Sequence, residues 1–333
     1  GAEMGAYSTA RPGGLPVTPD NAGRLAQAWG FEVPAAPGLT APEMVEAAER
    51  GELDVLWASG GNFLDVLPDP PRVERALAGV ALRAHQDVVL SSQMLVPPGP
   101  GQEVVLLPVA TRYEQEGGGT ETTTERRIIF SPEIPGHRVG EARSEWRVFA
   151  EVARRVRPDL AGRFSWPTNQ ALRAEIAAVV PLYAGIETLA ASGDQVQYGG
   201  RHLALSHRRF RAVEPAPLAL PEGSFLVSTR RGKQFNSMVY ADQDPLNGAF
   251  RDDVLMDPGD AERLGVGAGD AVVLASATGR FEGRVRLARL PARTLQVHWP
   301  EGNVLLAAGP EHREPRSQVP DYNAVVTVSC PGG

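Results

Sequence analysis

Apolar positions along the chain follow two regimes. Between residues 41 and 108 they form short continuous runs separated by helical spacing, whereas from Ser224 onward they alternate one by one. In the first regime the spacing predicts a helix over Ala41–Arg50, then an extended run Leu53–Ala58 ending in Ser59-Gly60-Gly61-Asn62, then a helix over Pro71–Gly79. A second extended run, Val80–His85, leads into Gln86-Asp87, and a third, Glu103–Leu107, ends at Pro108. Short apolar strands joined by helical or looped crossovers predict a parallel sheet, and in such sheets ligands bind outside the strand carboxyl ends. Gly60, Asn62 and Asp87 fall there.

Residues 109–140 are polar, with the run Glu116-Gly117-Gly118-Gly119-Thr120 and threonines 122–124. Helical spacing returns over Ser144–Arg157, with Trp146, Phe149, Val152, Ala153 and Val156 on one face, and again over Asn169–Val180. Prolines 215, 217 and 221 give the end of the 158–220 stretch the composition of a connection between domains. The second regime predicts short strands at Phe225–Ser228, Val254–Met256, Ala271–Ala275, Arg280–Leu287, Leu295–Trp299 and Ala324–Val328. One helix interrupts them, Pro258–Leu264, with Asp257 as its N-cap and Gly265 as its stop. That pattern predicts a small β-barrel.

Composition narrows the picture. A chain of 333 residues that is 42% apolar can bury two cores, and its glycines lack the three-residue period of collagen. The formal charge of −7 argues against a general nucleic-acid binder and leaves small molecules as the expected ligands. No uninterrupted apolar run approaches the roughly 18 residues of a membrane helix, and no basic-then-apolar leader opens the chain, so a cytoplasmic protein without membrane insertion is expected. The opening GAEMGAYSTARPGGLPVTPD, without an initiator Met, reads as a start inside a larger protein. A single cysteine, Cys330, cannot build an iron–sulfur cluster or a thiolate zinc site, and the histidines share no ligand spacing, so no metal ligand is assigned. Lys233 is the one lysine among 33 basic residues.

On spacing alone, Gly60-Gly61-Asn62 is either a plain strand-to-helix turn or a turn kept small so that backbone approaches a phosphate. Asp87 is either a solvated carboxylate or one that accepts the paired N1–H and N2–H of a guanine. The loop Thr229–Ser237 packs cations, amides and hydroxyls together, as a solvated turn or as donors for diphosphates.

The segments LDVLWASGGNF, HQDVVLSSQ, EVVLLPVATRYEQEGGGTETTTERRI, EARSEWRVFAEVARRV, STRRGKQFNSM, DPGDAERLGVGAGDAVVLAS, PEGNVL and PDYNAVV follow in this order. The series resembles the carboxyl-terminal half of the large subunit of bacterial bis(molybdopterin guanine dinucleotide) oxidoreductases, and is most similar to formate dehydrogenase alpha subunits and their formate-dehydrogenase-like relatives. The resemblance implies an α/β chain: residues 1–218 as part of a Rossmann-like parallel-sheet domain, and residues 222–333 as a dinucleotide-binding double-psi β-barrel. It implies the bis-MGD cofactor with molybdenum or tungsten, shared with an upstream half that would carry the metal ligand and any iron–sulfur cluster, so that this chain alone would be inactive. An electron-transfer subunit and a small-molecule substrate would be further partners. By resemblance, Gly61 and Asn62 match the glycine turn at a dinucleotide, Asp87 and Ser91 the guanine and ribose readers, and Glu116 an acidic turn. Thr229, Arg231, Gly232, Lys233, Gln234, Asn236 and Ser237 match a loop at the diphosphates, and Asn303 and Tyr322 match residues near the pterin. The alternatives are a non-catalytic dinucleotide or pterin carrier, and an enzyme of the same family acting on another oxyanion or small organic substrate.

Overall fold

The computed structural model describes residues 10–11, 15–123, 125–136, 138–197, 212, 214, 219–230, 242–245, 247–315 and 317–331. A short hairpin, β1 (Ala10–Arg11) with β2 (Leu15–Pro16), precedes helix α1 (Pro19–Trp29). Thr18 starts α1 by accepting the Asn21 N–H at 3.3 Å, and Gly30 stops it in the left-handed region. Helix α2 (Ala41–Glu49) opens on a capping box in which Glu43 reaches back to the Thr40 N–H at 2.7 Å.

Strands β3 (Val55–Ser59), β4 (Leu82–Asp87) and β5 (Glu103–Pro108) form a parallel sheet in the order β3-β4-β5, with Ser59 opposite Gln86 and Asp87 opposite Pro108. Between β3 and β4 run the one-turn helix α3 (Phe63–Val66) and helix α4 (Pro70–Ala78). Helices α2 and α4 cover the sheet, burying Val45, Leu56, Val73, Leu77 and Val80 together. In β4, fully buried Arg83 donates to the carbonyls of Gln93 (3.1 Å) and Val96 (2.5 Å), so its charge is spent on an otherwise unsatisfied loop.

The polar stretch 109–140 holds structure that its composition hides. Strands β6 (Gly119–Thr122) and β7 (Arg127–Ser131) pair antiparallel, and β7 pairs with the distant β8 (Gln195–Gln197). Gly118 is obligatory there: its φ is +76°, and a Cβ would stand 2.6 Å from both the Phe130 ring and the Ser131 carbonyl. Helix α5 (Glu145–Val156) forms as expected, but its expected inner face is only partly covered, since Phe149 stays 43% and Val156 70% exposed. Helix α6 (Asn169–Val179) packs on the second sheet, its Ile176 and Val179 against the cluster of Ile128, Phe130, Tyr183 and Ile186.

From Phe225 the chain forms β9 (Phe225–Arg230), β10 (Asp253–Met256), α7 (Pro258–Leu264), β11 (Ala271–Ala275), β12 (Arg280–Leu287), β13 (Thr294–His298) and β14 (Asn323–Ser329). The six strands close into a barrel in the order β10-β12-β11-β14-β9-β13, with β10–β12 and β9–β13 parallel and the other pairs antiparallel. Alternate residues point inward, and Val227, Val254, Leu274, Leu295 and Val297 make a dry core. Asp257 caps α7 through the Gly259 N–H at 2.9 Å, and Gly265, at φ +68°, ends it. Among the described residues no helix is long and apolar enough to cross a membrane.

Candidate functional site

The carboxyl end of β3 runs into Gly60 and Gly61, whose φ values are +66° and +72°. Two successive left-handed residues are accessible to glycine at little cost and to side-chain-bearing residues only under strain. Nothing lies within 4 Å of where a Cβ would stand on either, so the space beside the turn is open. The turn is held from outside. The Gly60 N–H donates to the Gln86 carbonyl at 2.8 Å, and buried Gln93 donates to the Gly61 carbonyl at 2.9 Å while accepting the Phe63 N–H at 2.8 Å.

Asn62 caps α3. Its Oδ1 accepts the Asp65 N–H at 3.3 Å, and its Nδ2 donates to the Asp65 carboxylate at 2.7 Å and to the Ser92 hydroxyl at 2.9 Å. Half-buried Asp87 ends β4, and its Oδ1 accepts the Val88 N–H at 2.7 Å. Its second oxygen makes no hydrogen bond among the described residues. The buried Ser91 hydroxyl likewise lacks a partner among them. Gly61, Asn62, Asp87 and Ser91 therefore come to the carboxyl edge of one sheet, with acceptor and donor capacity still unused.

Below this edge, His85 is buried with both ring nitrogens unpartnered among the described residues. Burial, and then the Arg83 charge, hold its imidazole below the ordinary histidine range, so it is neutral at pH 7. Glu116 is exposed on its own turn and pairs with Arg147 of α5 at 2.5 Å. Its connection to the edge runs through α5, whose Glu145 accepts the Ser59 hydroxyl at 2.6 Å.

In the barrel, the Thr229 N–H donates to the Tyr322 carbonyl at 3.1 Å. A Cβ on Gly302 would press on Thr229, so the turn before Asn303 can pass close to β9. Asn303 is fully buried and faces the first region: its Nδ2 donates to the carbonyls of Asp65 (2.7 Å) and Val66 (3.3 Å), and its own carbonyl accepts the Asp69 N–H at 3.2 Å. The Tyr322 hydroxyl donates to the Val66 carbonyl at 3.3 Å. A second tie joins Glu46 of α2 to Arg313 at 3.1 Å, with both side chains mostly covered. Thr229, Asn303 and Tyr322 thus gather at one end of the barrel, against the carboxyl end of α3, while the sheet-edge group sits at its amino end. Arg231, Gly232, Lys233, Gln234, Asn236 and Ser237 lie outside the described residues.

Sequence reasoning passed over Gln93, Ser92 and Asp65, which fix the glycine turn and the Asn62 cap. The signal available was the polar triplet Ser91-Ser92-Gln93 directly after the apolar Val88-Val89-Leu90. Among the described residues no cluster of three or more His, Cys, Asp or Glu could hold a metal ion.

Residues 225–326 match the family model of the molydopterin dinucleotide binding domain. The chain is 27% identical over 266 residues to NADPH-Fe(3+) oxidoreductase subunit alpha of Geobacter sulfurreducens, covering 78% of this chain and 29% of that protein. It is 30% identical over 234 residues to nitrate reductase of Klebsiella oxytoca, covering 68% of this chain and 25% of that one. The chain therefore spans about a quarter to a third of the length of these curated relatives. In structure it resembles acetylene hydratase from Pelobacter acetylenicus, with a TM-score of 0.61 at 13% identity, over 94% of this chain and 50% of that one, a likeness of fold. The mixed α/β chain with its closed six-stranded barrel shares its fold with that protein. Residues 225–326 thus match a molydopterin dinucleotide binding domain, and most of the chain is similar to parts of larger oxidoreductases.

Proposed function

We propose that this chain holds molybdopterin guanine dinucleotide between the carboxyl edge of its parallel sheet and the facing end of its barrel, as part of an oxidoreductase of the formate dehydrogenase kind. The division is a sheet domain over residues 1–218 and a barrel domain over 222–333. The observation that carries the reading is the sheet edge itself, which holds an open glycine pair and, among the described residues, a carboxylate with one free oxygen and a buried hydroxyl without a partner. These residues fit the group. The Gly60-Gly61 backbone admits a diphosphate closely, Asp87 accepts the two N–H donors of a guanine, and Ser91 bonds the ribose. The loop Thr229–Ser237 supplies cations and donors to the diphosphates.

When bound, the cofactor carries a molybdenum or tungsten ion that supplies two-electron redox chemistry, and the chain contributes binding and orientation. Formate is the substrate favoured by the TRYEQEGGGT and TERRI segments. Nitrate is the second reading, favoured by the likeness to the Klebsiella oxytoca enzyme. The complete enzyme, with an upstream half and an electron-transfer partner, performs the reaction in either case.

The test compares two aspartates in the complete enzyme. A charge-assisted pair to guanine contributes about 1.5–3 kcal/mol, so Asp87→Ala should lower cofactor content about tenfold or more, read as GMP released on acid hydrolysis. Asp260→Ala, in α7 of the barrel, should alter stability and leave the content of folded enzyme unchanged. Full cofactor in Asp87→Ala would refute the assignment. Formate-dependent and nitrate-dependent dye assays on the wild-type enzyme separate the two substrates.

A further inference from the structure

A four-residue helix has no stability of its own, because a single turn fixes many dihedrals for very few internal bonds. Helix α3 makes two such bonds, from the Val66 N–H to Asn62 (3.0 Å) and from the Leu67 N–H to Phe63 (3.1 Å). Everything else that shapes it comes from outside. At its amino end, Asn62, Ser92 and Gln93 grip the glycine turn and the first helical residue. At its carboxyl end, where the last carbonyls of any helix are orphaned, the acceptors at Asp65 and Val66 are served by Asn303 and Tyr322 of the barrel. Asn303 is fully buried, so water cannot replace its amide without opening the contact.

We infer that α3 is a lever shared by the two regions: the barrel sets the geometry of the Gly60-Gly61 turn through it. Asn303 and Tyr322 are then positioning residues, acting on the dinucleotide site by holding α3, rather than contacts to the pterin. This rests on the reading that the turn receives a guanine dinucleotide. The coupling is reciprocal: a ligand that fixes the turn also tightens the seat of the barrel on α3, since both share one set of bonds.

The experiment uses the 333-residue chain in two arms. In the first, amide hydrogen exchange is followed without ligand in the wild type, Tyr322→Phe, Asn303→Ala and Val326→Ala, the last loosening the barrel core without touching α3. Loss of one hydrogen bond should speed exchange at Gly60, Val66 and Leu67 about three- to tenfold in Tyr322→Phe, and more in Asn303→Ala. Val326→Ala should leave these amides at the wild-type rate. Unchanged exchange at them in both Tyr322→Phe and Asn303→Ala overturns the inference. In the second arm GDP is titrated as the probe, and Tyr322→Phe should bind it more weakly by a similar factor. A variant with a loosened α3 and undiminished GDP affinity also overturns the inference, as does loss of GDP binding in Asn303→Ala with α3 exchange at the wild-type rate, which would make Asn303 a direct contact. Failure of the wild type to bind GDP refutes the dinucleotide reading instead, and the exchange arm still decides whether α3 is held by the barrel.

Discussion

The barrel and the parallel sheet manage their edges in opposite ways. Six strands close on themselves, so every barrel strand is paired on both sides and the apolar residues Val227, Leu274 and Val297 lose all contact with water. Among the described residues no further strand joins the sheet β3-β4-β5 on either side, only the bridge from Val109 to Arg143 just past β5, and Val55, Val105 and Leu106 on its outer strands remain 52%, 38% and 46% exposed. Buried Asp260 in the barrel is satisfied, its Oδ2 accepting the Arg293 N–H at 2.7 Å and its Oδ1 bonding Arg263. Ser91 and His85 of the sheet, and Glu301 and Asn303 of the barrel, each bury a polar atom with no partner among the described residues. Closure marks a part built for stability.

The most severe way to break this contrast is through the barrel core. Leu274 is fully buried and its neighbours come from rigid paired strands, so Leu274→Ala should cost about 2–5 kcal/mol, seen as a lower urea midpoint. Val105→Ala, on the exposed edge strand β5, should cost a small fraction of that. Equal losses at the two positions would mean that the barrel is no more tightly packed than the sheet.

Asp260 probes the same contrast through a polar group. Asp260→Ala leaves the Arg293 N–H without its acceptor in a buried setting, at a cost of about 1–3 kcal/mol to the barrel. Protection from hydrogen exchange should fall across β13 and α7 while β3 and β4 keep their rates. A loss confined to the sheet would contradict the division of roles.

How far the fold was legible follows from the range over which each signal acts. The barrel strands and α7 carry their own pattern, alternation for β12 (Arg280–Leu287) and a cap with a glycine stop for α7, so local reading suffices. The β6-β7-β8 sheet was missed because Gly119–Thr122 is polar on both faces and β8 joins from more than sixty residues away. Helix α1 had legible ends, Thr18 and Gly30, but a small-residue context that masked them. At the site, Gly61, Asn62 and Asp87 could be placed at strand ends from sequence. The contacts of Asn303 and Tyr322 with Asp65 and Val66 could not, since they join residues about 240 positions apart and depend on how two regions dock.

The gentlest probe is pH, applied to one buried histidine in each region. For His85 the causes act together: burial, then the Arg83 charge, disfavour the imidazolium. For His298 burial again dominates, and Arg230 adds to it, but Glu301, Asp244 and Asp253 pull the other way. The unfolded chain takes up a proton at each histidine near pH 6.5, while the folded chain resists until lower pH. Below pH 6.5 the unfolded state therefore binds more protons, and stability falls as pH falls toward the folded-state values. Above pH 6.5 neither histidine contributes a slope. Urea midpoints between pH 7.5 and 5.5 should therefore fall less steeply in His85→Leu, and likewise in His298→Leu, than in the wild type. Equal slopes in the wild type and His85→Leu would show that the buried histidine of the sheet is not held neutral by its surroundings.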